Sequence, residues 1–298
     1  NIFVLHPHNK ISSVQRKLMT TNEDSNVFNL AINGNFDDCQ NLVKSMFSDT
    51  GFANTINMSG VNSINWARIV AQTVYYFYSY FQIGKQNLSF SVPTGNFGDV
   101  YAGYISKQMG LPISKFIVAT NQNDILHRAI SNGDYKSNKV KETISPSMDI
   151  QVASNFERLL YDLYDKNSEN VINIMKSIKD NSFKIEQDKL KDLRNDFNSE
   201  SLNETEVINT IKKFYEENNV VIDPHTAIGV GAVEKLNLSD VVILSTAHPC
   251  KFPVAIEKAI SKIEKLPESL NYINDKEEKF EVVPNDLEKV KDYVLRSI

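Results

Sequence analysis

The stretch Ser91-Val-Pro-Thr94-Gly95-Asn96-Phe97-Gly98-Asp99 sets two glycines three positions apart, between an apolar run and an apolar helical pattern. Glycine admits left-handed backbone angles, so such a turn can aim successive N–H groups, together with the start of the following helix, at one anion. The chemistry on offer is a phosphate cup. The spacing is neither the Gly-x-Gly-x-x-Gly of dinucleotide loops nor a Gly-Lys-Ser/Thr P-loop. It also suits an ordinary strand-to-helix turn with Asp99 near the helix start.

A second stretch, Asn62-Ser63-Ile64-Asn65-Trp66-Ala67-Arg68, opens the longest helical pattern. Asn62 or Ser63 can cap that helix, and Arg68 can present a planar, two-pronged donor to a phosphate or carboxylate. A cap followed by a surface arginine reads the same way. Asp223-Pro-His225-Thr226 and Ser245-Thr246-Ala-His248-Pro249 each follow an apolar run. Open parallel sheets place ligand-binding groups at the carboxyl ends of their strands. Each imidazole can equally be a hydrogen-bonded loop residue. Asp149, in Ser145-Pro-Ser-Met-Asp149, is a candidate buried acid or a turn-capping residue. No Gly-x-Ser-x-Gly elbow occurs, and the histidines have no concentrated co-ligands for a metal.

The elements that must position these residues alternate short apolar runs with helical ones. Candidate strands are Ile2 to Leu5, Asn26 to Ile32, Asn54 to Met58, Leu88 to Val92, Lys115 to Ala119, Val220 to Asp223 and Val241 to Leu244. The intervening helical patterns include Ser12 to Met19, Asp37 to Phe47, Ile64 to Phe81, Asp99 to Met109, His225 to Lys235 and Pro253 to Ile263. This is the β-α-β rhythm of a parallel sheet with flanking helices. Between about Ser154 and Asn219 the text turns to Lys-, Glu- and Asn-rich helices with polar breaks near Asn181 and Ser199, the pattern of solvated peripheral helices. The expected organisation is a smaller α/β lobe at 1–82, an α/β segment with the glycine loop at 83–154, a peripheral helical segment at 155–219, and a return with a terminal helix at 220–298.

Composition narrows the function classes. With 298 residues, 41% hydrophobic and 23% charged, the chain can bury a substantial core in one large domain or two lobes. A net charge of -5, from 32 basic and 37 acidic residues, argues against a nucleic-acid or anionic-membrane surface. Only Cys39 and Cys250 occur, without a CxxC or a Cys/His cluster, which suits a reducing compartment and excludes a disulfide framework. Cys39 reads as inert core. No apolar run approaches a membrane span, and the first residues are not a signal peptide. The expectation is a soluble, cytoplasmic protein with a small-molecule partner.

Taken in order, the stretches resemble the threonine synthase family of pyridoxal-phosphate enzymes. The resemblance runs through His6-Pro-His-Asn-Lys-Ile-Ser-Ser-Val-Gln15, Gly34-Asn-Phe-Asp-Asp-Cys-Gln40, Asn62-Ser-Ile-Asn65, Val92-Pro-Thr-Gly-Asn-Phe-Gly-Asp99 and Ala119-Thr-Asn121. It continues through Asn123-Asp-Ile-Leu-His127, Ser145-Pro-Ser-Met-Asp149, Asp223-Pro-His-Thr226 and Thr246-Ala-His-Pro249. It implies pyridoxal-phosphate fold type II, the tryptophan synthase β-like α/β fold in two lobes. It also implies conversion of O-phospho-L-homoserine and water to L-threonine and phosphate. By resemblance, Thr94, Gly95, Asn96, Phe97, Gly98 and Asp99 hold the phosphate of pyridoxal 5'-phosphate, and Thr246, with Ser245 second, lies beside the pyridine nitrogen. Asn62, Ser63, Asn65 and Arg68 look like the anchors of the substrate phosphate. The same anchors would serve a phospho-lyase releasing 2-oxobutyrate, or a non-catalytic module that keeps the phosphate cup.

One departure from the family's pattern matters. The stretch resembling His-Gly-Pro-Thr-x-Ala-Phe-Lys-Asp, whose lysine bonds the cofactor, does not occur, and Lys10, Lys107 and Lys251 stand in other contexts. The resemblance therefore covers the family's C-terminal two-thirds, with the lysine expected upstream of Asn1. It carries the expectation that this polypeptide alone is inactive, and that its sheet has an unpaired edge favouring association.

Overall fold

The computed structural model describes residues 1–63, 65–180 and 183–298. The expected helix start at Ile64 and the polar break at Asn181 lie outside the described residues. In chain order the first elements are β1 (Ile2–Pro7), α1 (Ser13–Thr20), β2 (Val27–Asn33), α2 (Phe36–Ser48), α3 (Thr50–Thr55) and α4 (Trp66–Ile83). Then come β3 (Leu88–Pro93), α5 (Gly98–Gln108), β4 (Ile113–Thr120), α6 (Ile125–Asn132), α7 (Phe156–Leu163), α8 (Ser168–Lys179) and α9 (Gln187–Asp196). The chain ends through β5 (Phe197–Ser201), α10 (Glu204–Asn218), α11 (Pro224–Lys235), β6 (Val241–Ile243), α12 (Pro253–Ile260), β7 (Glu281–Pro284) and α13 (Leu287–Arg296). Among the described residues no helix is long and apolar enough to cross a membrane.

The chain divides into two compact units, one of Asn1–Ser59 with Glu264–Ile298 and the other of Gly60–Ile263. In the first, a parallel sheet runs in the order β1-β2-β7. Leu30 and Ile32 of β2 are fully buried against Cys39, Leu42 and Met46 of α2 and Val290 of α13. Burial pushes the Cys39 thiol up to about 12, so its thiolate is scarce near neutrality. Arg16 of α1 grips Glu278 through Nε at 2.7 Å and Nη2 at 2.9 Å, and Thr20 Oγ1 donates to the same carboxylate at 2.8 Å. This tie brings the C-terminal segment into the unit and leads it to β7.

The second unit carries an all-parallel sheet in the order β5-β4-β3-β6. β3 and β4 are its centre, and their residues Phe90, Val92, Phe116, Ile117, Val118 and Ala119 are fully buried, as expected of strands covered on both faces. Ser91 satisfies its hydroxyl in that core by donating to Gly229 O at 2.8 Å. On one side lie α4 and α5, where Tyr76 packs on Phe90 at 5.0 Å and on Phe116 at 6.1 Å between ring centroids. On the other side α11 lies against Ile117 and Ala119, its Ala227 and Ile228 fully buried.

The observed elements differ from the expected ones in three places. Asn54 to Met58 is not a strand: α3 runs to Thr55, and the third strand of the first sheet comes instead from β7. Val220 to Asp223 has no ladder partner among the described residues, and the side of β3 away from β4 is taken by β6. Conversely, β5 emerges from the segment read as peripheral helices, pairing Phe197 to Ser201 with Phe116 to Thr120. The compact units also divide the chain differently from a lobe spanning residues 1–82. Tyr76 anchors α4 in the core of the second unit, and β7 and α13 return to the first.

A Cβ added at Gly103 of α5 would lie 2.6 Å from ring atoms of both Phe116 and Tyr76. Gly103→Ala is therefore expected to lower unfolding free energy by about 1–3 kcal/mol. Urea denaturation should show an earlier midpoint at unchanged slope, and an unshifted midpoint would contradict this packing.

Candidate functional site

The glycine loop lies at the carboxyl end of β3 and runs into α5. Thr94 is buried and spends its polar groups locally, its N–H donating to Ala119 O at 2.8 Å and its hydroxyl to Val92 O at 2.5 Å. From Gly95 through Asp99 the backbone N–H groups donate to no protein acceptor among the described residues, and α5 has no side-chain N-cap. Phe97, the residue before the helix, sits at φ 64° and ψ 10°, in the left-handed region. For a non-glycine residue that conformation costs about 1–2 kcal/mol. The fully buried Phe97 ring holds it in place, packing on Phe156 at 5.3 Å and Phe197 at 5.9 Å. A left-handed residue followed by a helical one turns consecutive N–H groups toward one point, a concavity suited to an anion. The side chain of Phe97 thus serves the core, and its backbone serves the site.

Neighbours fix the loop from two sides. A Cβ on Gly95 would fall 2.7 Å from Ser147 O, so the Ser145–Asp149 turn abuts the loop closely enough to require glycine there. Asn155 donates to Asn96 O from its backbone N–H at 3.1 Å and from Nδ2 at 3.1 Å. The Asn96 side chain leaves a buried Oδ1 without a hydrogen-bond partner among the described residues.

Asp99 points away from this donor cluster. Its Oδ1 accepts from the Tyr76 hydroxyl at 3.1 Å, and burial pushes its carboxyl up to about 6 against the lowering effect of that hydrogen bond. Its side chain ties α5 to α4, and only its N–H belongs to the loop.

The start of α4 reaches the same loop through Asn155, whose Nδ2 also donates to Ser63 Oγ at 3.0 Å. A Cβ on Gly98 would lie 3.2 Å from Ser63 Cβ. Asn65 caps α4, accepting from Ala67 N at 3.0 Å and donating to Gly60 O at 2.8 Å. Asn62 accepts from Asn65 N at 3.0 Å through its carbonyl, and Arg68 is exposed in the first turn. The structure therefore brings Ser63 to the glycine loop and sets Asn62, Asn65 and Arg68 around the adjoining helix end.

At the start of α11, Asp223 is a buried N-cap. Its Oδ1 accepts from the His225 N–H at 2.9 Å, His225 Nδ1 at 3.0 Å and the Thr226 N–H at 3.4 Å, and its Oδ2 accepts from the Thr226 hydroxyl. Burial alone would raise the Asp223 carboxyl, but the hydrogen bonds from His225 and Thr226 outweigh it and hold the group below its usual range. Thr226 Oγ1 in turn accepts from the Thr246 N–H at 3.2 Å, which pins the exposed Ser245–Thr246 loop after β6. Asp149 is a half-buried acid. It accepts from Thr143 Oγ1 at 2.6 Å, Thr143 N at 2.8 Å, Asn121 Nδ2 at 2.8 Å and Asn123 Nδ2 at 3.0 Å. Burial still holds its carboxyl above the ordinary range, against those bonds and the field of His225. His248 turns the next corner, its Nδ1 accepting from Cys250 N at 3.2 Å.

Sequence reasoning assigned no role to Asn155, Asn121 or Thr143. Asn155 sits at a helix start and reads as a cap, and only the fold carries it to Asn96. Asn121 and Asn123 were visible as part of a motif, yet their shared partner Asp149 lies 28 and 26 positions away.

Two outcomes follow from this geometry. Gly95→Ala, which must displace Ser147, is expected to weaken inorganic phosphate binding by at least about tenfold, as read by amide NMR titration. Unchanged affinity would show that the loop is a plain turn. Asp99 has a folded-state pKa above its unfolded value, so its contribution to stability is complete below pH 3.8 and disappears as pH rises through about 6. Stability of the wild type relative to Asp99→Asn should accordingly fall by roughly 3 kcal/mol between about pH 4 and pH 6. Parallel pH profiles in urea denaturation would refute the buried carboxyl.

Comparisons with known proteins bear on this arrangement. The pyridoxal-phosphate dependent enzyme family matches residues 2–246, and the family described as threonine synthase, C-terminal, matches residues 226–294. The chain is 46% identical to the threonine synthase of Pseudomonas aeruginosa over 301 aligned positions, covering 99% of this chain and 64% of the relative. With the Saccharomyces cerevisiae threonine synthase it shares 43% identity, over 99% of this chain and 64% of the relative. A crystal structure of pyridoxal-phosphate-bound threonine synthase from Brucella melitensis superposes with a TM-score of 0.92 at 44% identity, covering 100% of this chain and 65% of that one. The chain thus spans about 64% of the length of the curated relatives it matches. With its all-parallel sheets, flanking helices and glycine loop at the carboxyl edge, it belongs to the pyridoxal-phosphate-dependent enzymes of fold type II.

Proposed function

We propose that this chain serves the threonine synthase reaction, in which O-phospho-L-homoserine and water give L-threonine and phosphate. The observation that carries the reading is the run of N–H groups from Gly95 to Asp99, unpaired among the described residues, at the start of α5 beside Ser63 and the Ser145–Asp149 turn. These residues fit the phosphate of pyridoxal 5'-phosphate: the donors are backbone groups, and Asp99 spends its carboxylate on Tyr76. When bound, that cofactor supplies an electron sink for negative charge formed on the substrate carbon.

The chain's own residues then divide the remaining work. Backbone N–H groups of Gly95, Asn96, Phe97, Gly98 and Asp99, with the α5 dipole, would hold the cofactor phosphate, while Thr94 fixes the turn. Thr246, with Ser245 second, would offer a neutral hydroxyl to the cofactor's pyridine nitrogen. Ser63, Asn62, Asn65 and Arg68 anchor the substrate phosphate. Arg68 offsets charge as that phosphate departs, the step at which electrostatic stabilisation counts most. Asn155 bonds to both Asn96 and Ser63, so it sets the spacing of the two phosphate sites. The reading includes a cytoplasmic location, in keeping with the free thiols of Cys39 and Cys250.

Product analysis of the complete gene product with O-phospho-L-homoserine tests the reading. Threonine with stoichiometric phosphate is expected, and 2-oxobutyrate without threonine would replace this reading with a phospho-lyase. Borohydride reduction of the 298-residue chain mixed with pyridoxal phosphate should leave no stoichiometric lysyl adduct, because the lysine motif of the family is not among its residues. A stoichiometric adduct on one lysine found by mass spectrometry would overturn that expectation and make this chain a candidate enzyme in its own right.

A further inference from the structure

α4 has the sequence of a buried helix. Of its 18 residues only Arg68 is charged, and apolar or aromatic side chains occupy most of its circumference. Such a helix belongs inside a protein rather than at its surface. Yet only Ile69, Thr73 and Tyr76 are buried, on the stripe that packs toward β3 and β4. Val70, Val74, Tyr78 and Phe81 line up at helical spacing on another flank, and they are 43%, 60%, 64% and 71% exposed. A contiguous apolar strip of this kind marks an interaction surface.

β6 poses the same contradiction. Val241-Val-Ile-Leu244 carries neither a charge nor a proline, devices that blunt an exposed sheet edge. Its side chains are placed as in an interior strand, Val242 and Leu244 in the core that holds Tyr76, and Val241 and Ile243 in the core that holds Ala227 and Ile228. The Leu244 N–H donates to Ser91 O at 3.0 Å, so by strand alternation the N–H groups of Val241 and Ile243 point away from β3, where the strand has no ladder partner among the described residues. The two features adjoin. Lys85, just past α4, pairs with Asp240, just before β6, at 2.7 Å, and α5 occupies the flank of α4 toward β4. The bare flank of α4 therefore stands on the β6 side of the sheet. A helix flank over an open strand edge is the seat of one more strand, since parallel sheets are covered on both faces.

Length identifies the occupant. The chain spans about 64% of its curated relatives, and the C-terminal family matches it as far as residue 294, so the length those relatives have beyond the shared stretch precedes it. We propose that the bare flank of α4 and the outer edge of β6 form one docking surface for a segment of the same polypeptide upstream of Asn1. That segment adds a strand beside β6 and lays apolar side chains against Val70, Val74, Tyr78 and Phe81. A tethered segment meets the surface at a high effective concentration, which a second copy does not.

The test compares the 298-residue chain with the complete gene product, by hydroxyl-radical footprinting of side chains and by amide hydrogen exchange. In the 298-residue chain Tyr78 and Phe81 should oxidise readily, and the Val241 and Ile243 amides should exchange at least about tenfold faster than in the complete product. The complete product should protect all four at concentrations where it sediments as a monomer. Tyr78→Asp gives a second reading: it should bring the urea midpoint of the complete product earlier and leave that of the 298-residue chain in place. Equal labelling of Tyr78 and Phe81 in the two proteins would overturn the proposal, as would an equal midpoint shift in both. Protection that appears only as the complete product dimerises would assign the surface to a second copy instead. A coding sequence with nothing upstream of Asn1 would remove the occupant and the proposal with it.

Discussion

The left-handed backbone of Phe97 is the constraint on which the site depends. An aromatic residue gains nothing locally from φ 64°, and the conformation persists because the ring is clamped among Phe156 and Phe197 in the main core of the second unit. Burying a phenylalanine side chain is worth roughly 1.5–3 kcal/mol, enough to offset the 1–2 kcal/mol of left-handed strain. The same side chain therefore stabilises the fold and sets the direction of five backbone N–H groups. Moving the ring would relax the backbone and scatter the donors, so core packing and anion recognition are one requirement at this position.

Around that loop, the carboxyl edge of an all-parallel sheet collects groups from segments that are distant along the chain. Two carboxyl groups there are shifted in opposite directions. Asp223 stands at a helix start and receives hydrogen bonds that outweigh its desolvation, so it remains charged. Asp149 accepts as many neighbouring donors, yet burial keeps its carboxyl above the ordinary range. The helix N-terminus accounts for part of the difference, since the α11 dipole and its first N–H groups favour a negative charge at the cap. The outcome is one helix cap that orients His225 and the Thr246 loop, and one carboxyl that gathers Asn121, Asn123 and Thr143.

Much of this was legible in the residues, and what was not has a common cause. The β-α rhythm around β1, β2, β3 and β4 follows from hydrophobic periodicity, which a single segment displays without help from its partners. The strands β5 and β7 carry no such signal. Phe197-Asn-Ser-Glu-Ser201 is polar after its first residue and becomes a strand only because β4 offers a free edge. In β7 only Val283 is buried, and the segment is set in place through Glu278, gripped by Arg16. In the opposite sense, Asn54 to Met58 and Val220 to Asp223 look apolar enough for strands but find no partner, which shows that ladder pairing decides strand identity where local preference is weak.

By itself the sequence determined the interactions that close within a turn or two: the Gly95–Gly98 spacing, the Asn65 cap on α4, and the Asp223 cap with its i+2 and i+3 partners. It also held the order of motifs that marks the family. Only the tertiary structure decided that Asn155 bonds to Asn96 and to Ser63, partners 59 and 92 positions away. It alone placed Ser147 against Gly95. The physical reason is that local hydrogen bonds and caps are written in residue spacing. Contacts between distant segments depend on which faces the sheets and helices bury together, and that choice leaves no periodic trace in the chain.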